Sequence, residues 1–348
     1  MSETKIKICA GTDVGLVRQN NEDNFIVCAD LKEAQWTLPQ TDDFIDLGDY
    51  GALLVVADGM GGAKAGEVAS GLAIKMVKDS FVPEEIEKVI GSEEDMLNYM
   101  KKVVKAADKS ILNTSKNDNA TQGMGTTIVI AWIYKKRAYI CWCGDSRCYV
   151  YNTNIGLTQL SKDHSFVQEL VDKGELNATL ASDHPLSNVI TRCLGDEEKH
   201  AIPDTRIYDL HDGDVLLLCS DGLSGPCSDN DIMSVINENK DNMPDCCNAL
   251  LDAALDGGGY DNVTVGLCAV QIENENPSDD MTRTIRSKAI GHKLLKTLIP
   301  LLFLIIAAAA VFIYSADSCK PIRQQIIKVT TQKKATTQIS CSLSLYQL

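Results

Sequence analysis

From Lys5 to about Ile272 the chain alternates short apolar runs with polar turns. The runs at Asn24 to Cys28, Ala52 to Ala57, Gly125 to Tyr134, Arg137 to Cys143, Cys148 to Asn152 and Asp214 to Ser220 have the length and residue types of strands. Short strands divided by turns are what layered sheets require. Between them, the stretch after Asp58 carries Val68, Leu72, Met76 and Val77 at helical spacing. A second helix is predicted from near Ser165 to Gly174, with His164 as its cap.

Beyond Ile272 the pattern changes. Residues 273–296 are polar, of mixed charge, and contain Pro277, as a linker does. Leu298 to Tyr314 then runs without a charge, and at 1.5 Å per residue it makes about 26 Å of helix, near the lower limit for crossing a bilayer. Leu294 and Leu295 extend the run if Lys296 snorkels to the headgroups. A core helix of a globular domain shows a polar face, and this stretch shows none. The expected organisation is a catalytic domain at 1–272, a juxtamembrane linker at 273–296, a transmembrane helix at 297–315 in contact with the lipid bilayer, and a short tail at 316–348.

Basic residues on the two sides of the span are balanced, so they do not set its orientation. The N-terminus carries no apolar stretch of signal-peptide length, and Cys141, Cys143, Cys219 and Cys268 sit inside apolar runs, as reduced thiols do. Both features predict a single-pass protein of the cell membrane with its large domain in the cytoplasm and the tail, with Cys319 and Cys341, on the far side. Zinc is a poor explanation for the 13 cysteines, because no CxxC pair occurs. A formal net charge of -15 argues against nucleic acid as a partner. Converging carboxylates repel each other, however, and a divalent cation is the usual remedy.

Four aspartates stand at strand ends beside glycine or a turn: Asp58 in ADGMGG, Asp145 in CGDSR, Asp221 in SDGLSG and Asp261 in GGYDN. Asp-Gly also forms ordinary turns. For Asp145, with strands on both sides, a hairpin turn explains the residue as well as chemistry does. Asp58 and Asp221 are followed by no second strand, so a hairpin does not explain them. A fifth cluster, Arg18, Glu22 and Asp23, stands just before the strand at Asn24. Hard oxygen donors without His or Cys suit Mg²⁺ or Mn²⁺. Two such ions side by side activate water and steady a phosphoryl group under attack, while a guanidinium holds two phosphate oxygens. No cysteine-phosphatase loop, GxSxG elbow or P-loop is present.

In order, RxxNED (Arg18 to Asp23), DGMGG (Asp58 to Gly62), GMGTT (Gly123 to Thr127), GDSR (Gly144 to Arg147), SDGL (Ser220 to Leu223) and DN (Asp261, Asn262) resemble the PPM or type 2C metal-dependent serine/threonine phosphatases, bacterial branch. The resemblance implies an α+β fold, a four-layer α-β-β-α sandwich of two antiparallel sheets flanked by helices, here followed by the transmembrane helix. It implies that Asp58 bridges two Mn²⁺ or Mg²⁺ ions, with Glu22 and the Gly59 carbonyl on one and Asp221 and Asp261 on the other. Asp145 and Asp221 would hold a third, looser ion, Asp23 would orient water, and Arg18 would grip the substrate phosphate. Many eukaryotic relatives have histidine where this chain has Met60, which cannot donate a proton, so water in the site is the expected acid. Residues 177–187 match a mobile substrate flap. The implied substrates are phosphoproteins, a membrane serine/threonine kinase or a regulator of transcription among them. The competing class is a membrane-tethered binding module with a structural cation, which has no need to keep Arg18 and the whole acidic set.

Overall fold

The computed structural model describes residues 4–39, 41–61, 65–181 and 184–273. The linker, span and tail expected beyond Glu273 lie outside the described residues, among which no helix is long and apolar enough to cross a membrane. The chain divides into two units, Met1–Glu275 and Asn276–Leu348.

The first half of the domain contains β1 (Thr4–Asp13), β2 (Asn24–Cys28), β3 (Ile45–Asp46), β4 (Ala52–Ala57), β5 (Gly59–Met60), α1 (Ala65–Ser80), α2 (Pro83–Ile86), α3 (Glu93–Asn117), β6 (Gly125–Thr126) and β7 (Ile128–Tyr134). The second contains β8 (Arg137–Cys143), β9 (Arg147–Asn152), β10 (Gly156–Gln159), α4 (Phe166–Asp172), β11 (Asp204–Asp209), β12 (Val215–Cys219), α5 (Asp221–Ser224), α6 (Asp229–Asn239), α7 (Met243–Asp256) and β13 (Val263–Ile272). Two mixed-length antiparallel sheets result, one ordered β10-β9-β12-β13-β1-β3 and the other β11-β8-β7-β4-β2, with β5 and β6 forming a separate pair.

Strand alternation sends side chains to both faces. In β4, Ala52, Leu54 and Val56 enter the core between the sheets, while Leu53, Val55 and Ala57 face α1 and α3. In β12, Leu216 and Leu218 enter the central core and Val215, Leu217 and Cys219 face α6 and α7. Both strands are therefore buried on two sides, which explains why they read as unbroken apolar runs rather than alternating ones.

Helix α1, expected from its apolar spacing, packs chiefly through small residues. Ala65, Gly66, Ala69, Ser70, Ala73 and Val77 are its buried residues, whereas Val68, Leu72 and Met76 pack only partly. Small side chains on the inner face let the helix backbone approach the sheet end at Gly59. Helix α3, 25 residues long and capped by Ser92 on the Asp95 amide, covers the same sheet through Met96, Met100, Val104 and Ile111.

Gly144 to Ser146 is not a hairpin turn. Strand β8 ends in one sheet and β9 begins in the other, so the chain crosses between layers at Asp145. The ladder registers show why this crossing, and the other acidic positions, fall at one end of the sandwich. Ala57 pairs with Asn24, Val56 with Val129 and Ile128 with Cys143 in one sheet. Cys219 pairs with both Arg147 and Val265, and Asp13 with Val263, in the other. Asp23, Asp58, Asp145, Asp221 and Asp261 all lie just past these paired ends.

Candidate functional site

The Asp58 backbone is held by the two threonines of β6 and its exit. Its carbonyl accepts from Thr126 Oγ1 at 2.7 Å and from the Thr127 amide at 2.8 Å, and its own amide donates to Thr127 Oγ1 at 3.2 Å. Thr127 Oγ1 in turn bonds Ser146 Oγ at 2.6 Å, tying the Asp58 turn to the Asp145 crossing. Gly144 must be glycine: its φ is +123° and a Cβ there would stand 2.5 Å from that of Thr127. Gly59 is equally confined, since a Cβ would fall 2.3 Å from the Gly66 carbonyl and 2.4 Å from that of Glu22.

Asp23 is buried and accepts from Ser220 Oγ at 2.7 Å, and the same Ser220 oxygen accepts the Thr264 amide at 2.9 Å. Burial pushes its pKa up to about 7, against the opposing hydrogen bonds. Asp145 is also raised to about 7, by burial first and then by the charge of Asp221. Its Oδ1 is buried with no hydrogen-bond partner. The carboxyls of Asp58 and Asp221 lie within hydrogen-bonding reach of each other. Burial, then Asp23, Asp221 and Asp145, hold Asp58 well above the carboxylate range, and burial and Asp261 raise Asp221.

At the mouth, Arg18 Nη2 donates to Asp261 Oδ2 at 2.7 Å, with both side chains part-exposed. Partial burial opposes the guanidinium charge, but the bond to Asp261 outweighs it and the pKa is raised. Glu22 faces Arg18, and burial raises its pKa. Its carboxylate lies against α1, where a Cβ on Gly66 would come within 2.6 Å of Oε2.

All eight residues expected at the site, Arg18, Glu22, Asp23, Asp58, Gly59, Asp145, Asp221 and Asp261, thus fall at one end of the sandwich. Among the described residues no three Asp, Glu, His or Cys side chains already stand at the spacing of a closed coordination sphere. Asp261 is turned to Arg18, Asp58 and Asp221 to each other, and Asp23 to Ser220. The donor set nevertheless fits hard divalent cations: it is all oxygen, burial and mutual repulsion raise the pKa of Asp58, which a nearby cation would relieve, and one buried oxygen of Asp145 is orphaned.

His164 is not the helix cap. Ser165 caps α4, accepting from the Gln168 amide, while His164 is buried, stacks on Trp142 and accepts the Gly144 amide hydrogen at Nδ1, 3.1 Å. Its Nε2 faces Asp204 Oδ2 at 3.1 Å. It therefore braces the crossing that carries Asp145. Ser220, Thr126, Thr127 and Thr264 went unrecognised as supports, although polar residues closing apolar strands are a usable signal. The segment 177–187 presents Leu180 and Leu186 to solvent, and the chain after it pairs through Ile190 with Ser165 and through Leu194 with Thr126 at the site. The eleven described cysteines are free thiols.

A family model described as Protein phosphatase 2C matches residues 35–254, and the chain belongs to this family. It is a protein serine/threonine phosphatase of the bacterial kind, and the family is metal-dependent. The serine/threonine phosphatase stp of Listeria monocytogenes serotype 4b is 33% identical over 254 residues, covering 73% of this chain and 92% of that protein. The solved Mycobacterium tuberculosis phosphatase PstP/Ppp superposes with a TM-score of 0.61 at 33% identity, covering 77% of this chain and 99% of that one. A PstP catalytic domain in complex with two manganese ions superposes at 0.60, with 32% identity and the same 77% and 99% coverage.

Proposed function

We propose that this phosphatase hydrolyses phosphoserine and phosphothreonine in proteins with Mn²⁺ or Mg²⁺ held in the carboxylate cleft, and that it opposes a serine/threonine kinase at the cell membrane. The carrying observation is the approach of Asp58 to Asp221, two half-buried carboxyls in hydrogen-bonding reach beside the orphaned Asp145 Oδ1. Asp58 would bridge two ions, with Glu22 and the Gly59 carbonyl on one and Asp221 and Asp261 on the other, and Asp145 with Asp221 would hold a third. When bound, the ions lower the pKa of attacking water and offset charge on the phosphoryl oxygens.

The rest falls to the chain's own groups. Arg18, at the mouth and kept charged by Asp261, is placed to hold two phosphate oxygens in a fork. Asp23, buried beside the cleft with its orientation fixed by Ser220, is placed to orient water there. Met60 has no proton to give. The two exposed leucines of 177–187 offer an apolar contact to a substrate chain. With the family established, no observation favours a non-catalytic binding module.

The test is hydrolysis of a phosphothreonine peptide by the full chain with and without manganese. Turnover that needs the ion and is lost in Asp221→Asn is expected; turnover unaffected by chelation would overturn the proposal. Anchoring through residues 298–314, with the catalytic domain cytoplasmic, rests on the charge-free run alone.

A further inference from the structure

In the sequence Asn262 is the second letter of the DN motif, with no role attached to its side chain. Its side chain is buried and makes three hydrogen bonds, all to one loop, the segment that leaves β1 and carries Arg18 and Glu22. Nδ2 donates to the Val14 carbonyl at 2.9 Å and to the Asn20 carbonyl at 3.0 Å, and Oδ1 accepts the Glu22 amide hydrogen at 2.8 Å. Both donor hydrogens and the acceptor are thereby used, so the primary amide is matched to the loop atom for atom. The three partners bracket Arg18 in sequence, from Val14 to Glu22.

The same residue is covalently joined to Asp261, to which Arg18 is ion-paired at 2.7 Å. Its backbone amide also donates to Asp261 Oδ1 at 2.9 Å, so that carboxylate is pinned from both sides. The first part of the loop has an independent attachment: the Leu16 amide donates to the Gly259 carbonyl at 2.7 Å. Gly15, at φ +78°, seats so closely that a Cβ would lie 2.3 Å from the Asp261 carbonyl. Losing the Asn262 side chain therefore loosens the stretch around Arg18, while the Leu16 amide on Gly259, Asn21 Nδ2 on Thr12 Oγ1 at 2.8 Å and Ser70 Oγ on the Glu22 carbonyl at 2.6 Å still hold the loop.

We infer that Asn262 is a positioning residue for phosphate capture: it sets where Arg18 stands relative to Asp261 without touching substrate. This rests on the proposed role of Arg18 as the phosphate-gripping group. An aspartate there would keep the acceptor for Glu22 but set oxygen against the carbonyls of Val14 and Asn20.

A double-mutant cycle tests it, using the full chain, manganese and a phosphothreonine peptide. Asn262→Ala and Asn262→Asp are each combined with Arg18→Ala, and folding is followed by thermal melting. Either Asn262 variant is expected to lower kcat/KM by about tenfold, mainly through KM, and to weaken inhibition by inorganic phosphate. In the Arg18→Ala background the same change is expected to cost less than about twofold, because its effect runs through a guanidinium already removed. Equal losses in both backgrounds would overturn the inference, as would a loss confined to kcat. So would failure of both variants to fold, since the loop keeps its Leu16 attachment. Absence of any phosphate inhibition or Arg18 effect in the otherwise active wild type would instead strike at the role of Arg18 itself.

Discussion

The carboxyl of Asp58, on the last residue before β5, faces that of Asp221, on the first residue of α5, within hydrogen-bonding reach. These residues are 163 positions apart in a chain whose ladders place both β4 and β12 ends at one rim. Two half-buried carboxyls so close oppose each other's ionisation, and a counter-charge relieves it. The cleft is thus a region of stored repulsion, and it behaves differently with and without a cation.

Asp221→Asn removes one of the repelling charges. In chelator, the variant is expected to melt a few degrees above the wild type, while manganese-dependent turnover falls by about a hundredfold or more. Thermal melts and peptide assays on the same samples check both. A variant that loses stability along with activity would deny the repulsion.

The pH dependence follows from the raised carboxyls. Asp23 and Asp145 have folded pKa values of about 7, and Asp58 lies above its ordinary range, all chiefly through burial. In the cation-free protein the folded state therefore binds more protons than the unfolded chain between about pH 4 and pH 7. Stability is fully present below the unfolded carboxylate pKa and is lost as pH rises through that window. Melting in chelator is expected to fall from pH 5 to pH 7.5, and excess manganese to reverse the slope; a flat chelator profile would contradict it.

Gly66→Ala offers a test of the α1 contact. Alanine normally favours a helix interior by about 1 kcal/mol over glycine. Here the added Cβ would stand 2.6 Å from Glu22 Oε2 and 2.8 Å from the Gly59 carbon, both in the candidate site. Lower activity and a higher manganese requirement are expected in place of stabilisation, read by titrating manganese against turnover.

His164→Ala leaves the Gly144 amide without its acceptor and removes the stack on Trp142. A loss of about 2 to 3 kcal/mol in stability is expected from an orphaned amide and a small cavity. Urea unfolding of wild type and variant measures it. Burial holds the imidazole pKa below its usual value, so Nδ1 stays an acceptor at neutral pH.

Strands buried on two faces, such as β4 and β12, were plain in the sequence because their composition is unmixed. The acidic rim was plain too, since Asp58 and Asp221 end such strands with no partner strand following. Asp145 was ambiguous for a physical reason: β8 and β9 look like a hairpin from either side, and only non-local pairing, Cys219 with Arg147, sends them to different sheets. Helix α1 was legible from its apolar spacing, but its inner face was not, because small residues carry little hydrophobic signal although they permit the closest approach. The clamp by Asn262 depends on a loop some 240 positions away, which no local pattern reports.

Membrane anchoring, proposed from residues 298–314, is checked by fractionating cells that express the full chain. Sedimentation with membranes, reversed by detergent and not by salt, is expected. Recovery in the soluble fraction would remove the span.

Anomalous diffraction from crystals grown with manganese would locate the ions directly. Two strong peaks flanking the Asp58 carboxylate, one beside Glu22 and the Gly59 carbonyl and the other beside Asp221 and Asp261, are expected. An active, manganese-loaded crystal with no peak next to Asp58 would contradict the assignment of this cleft as the seat of catalysis.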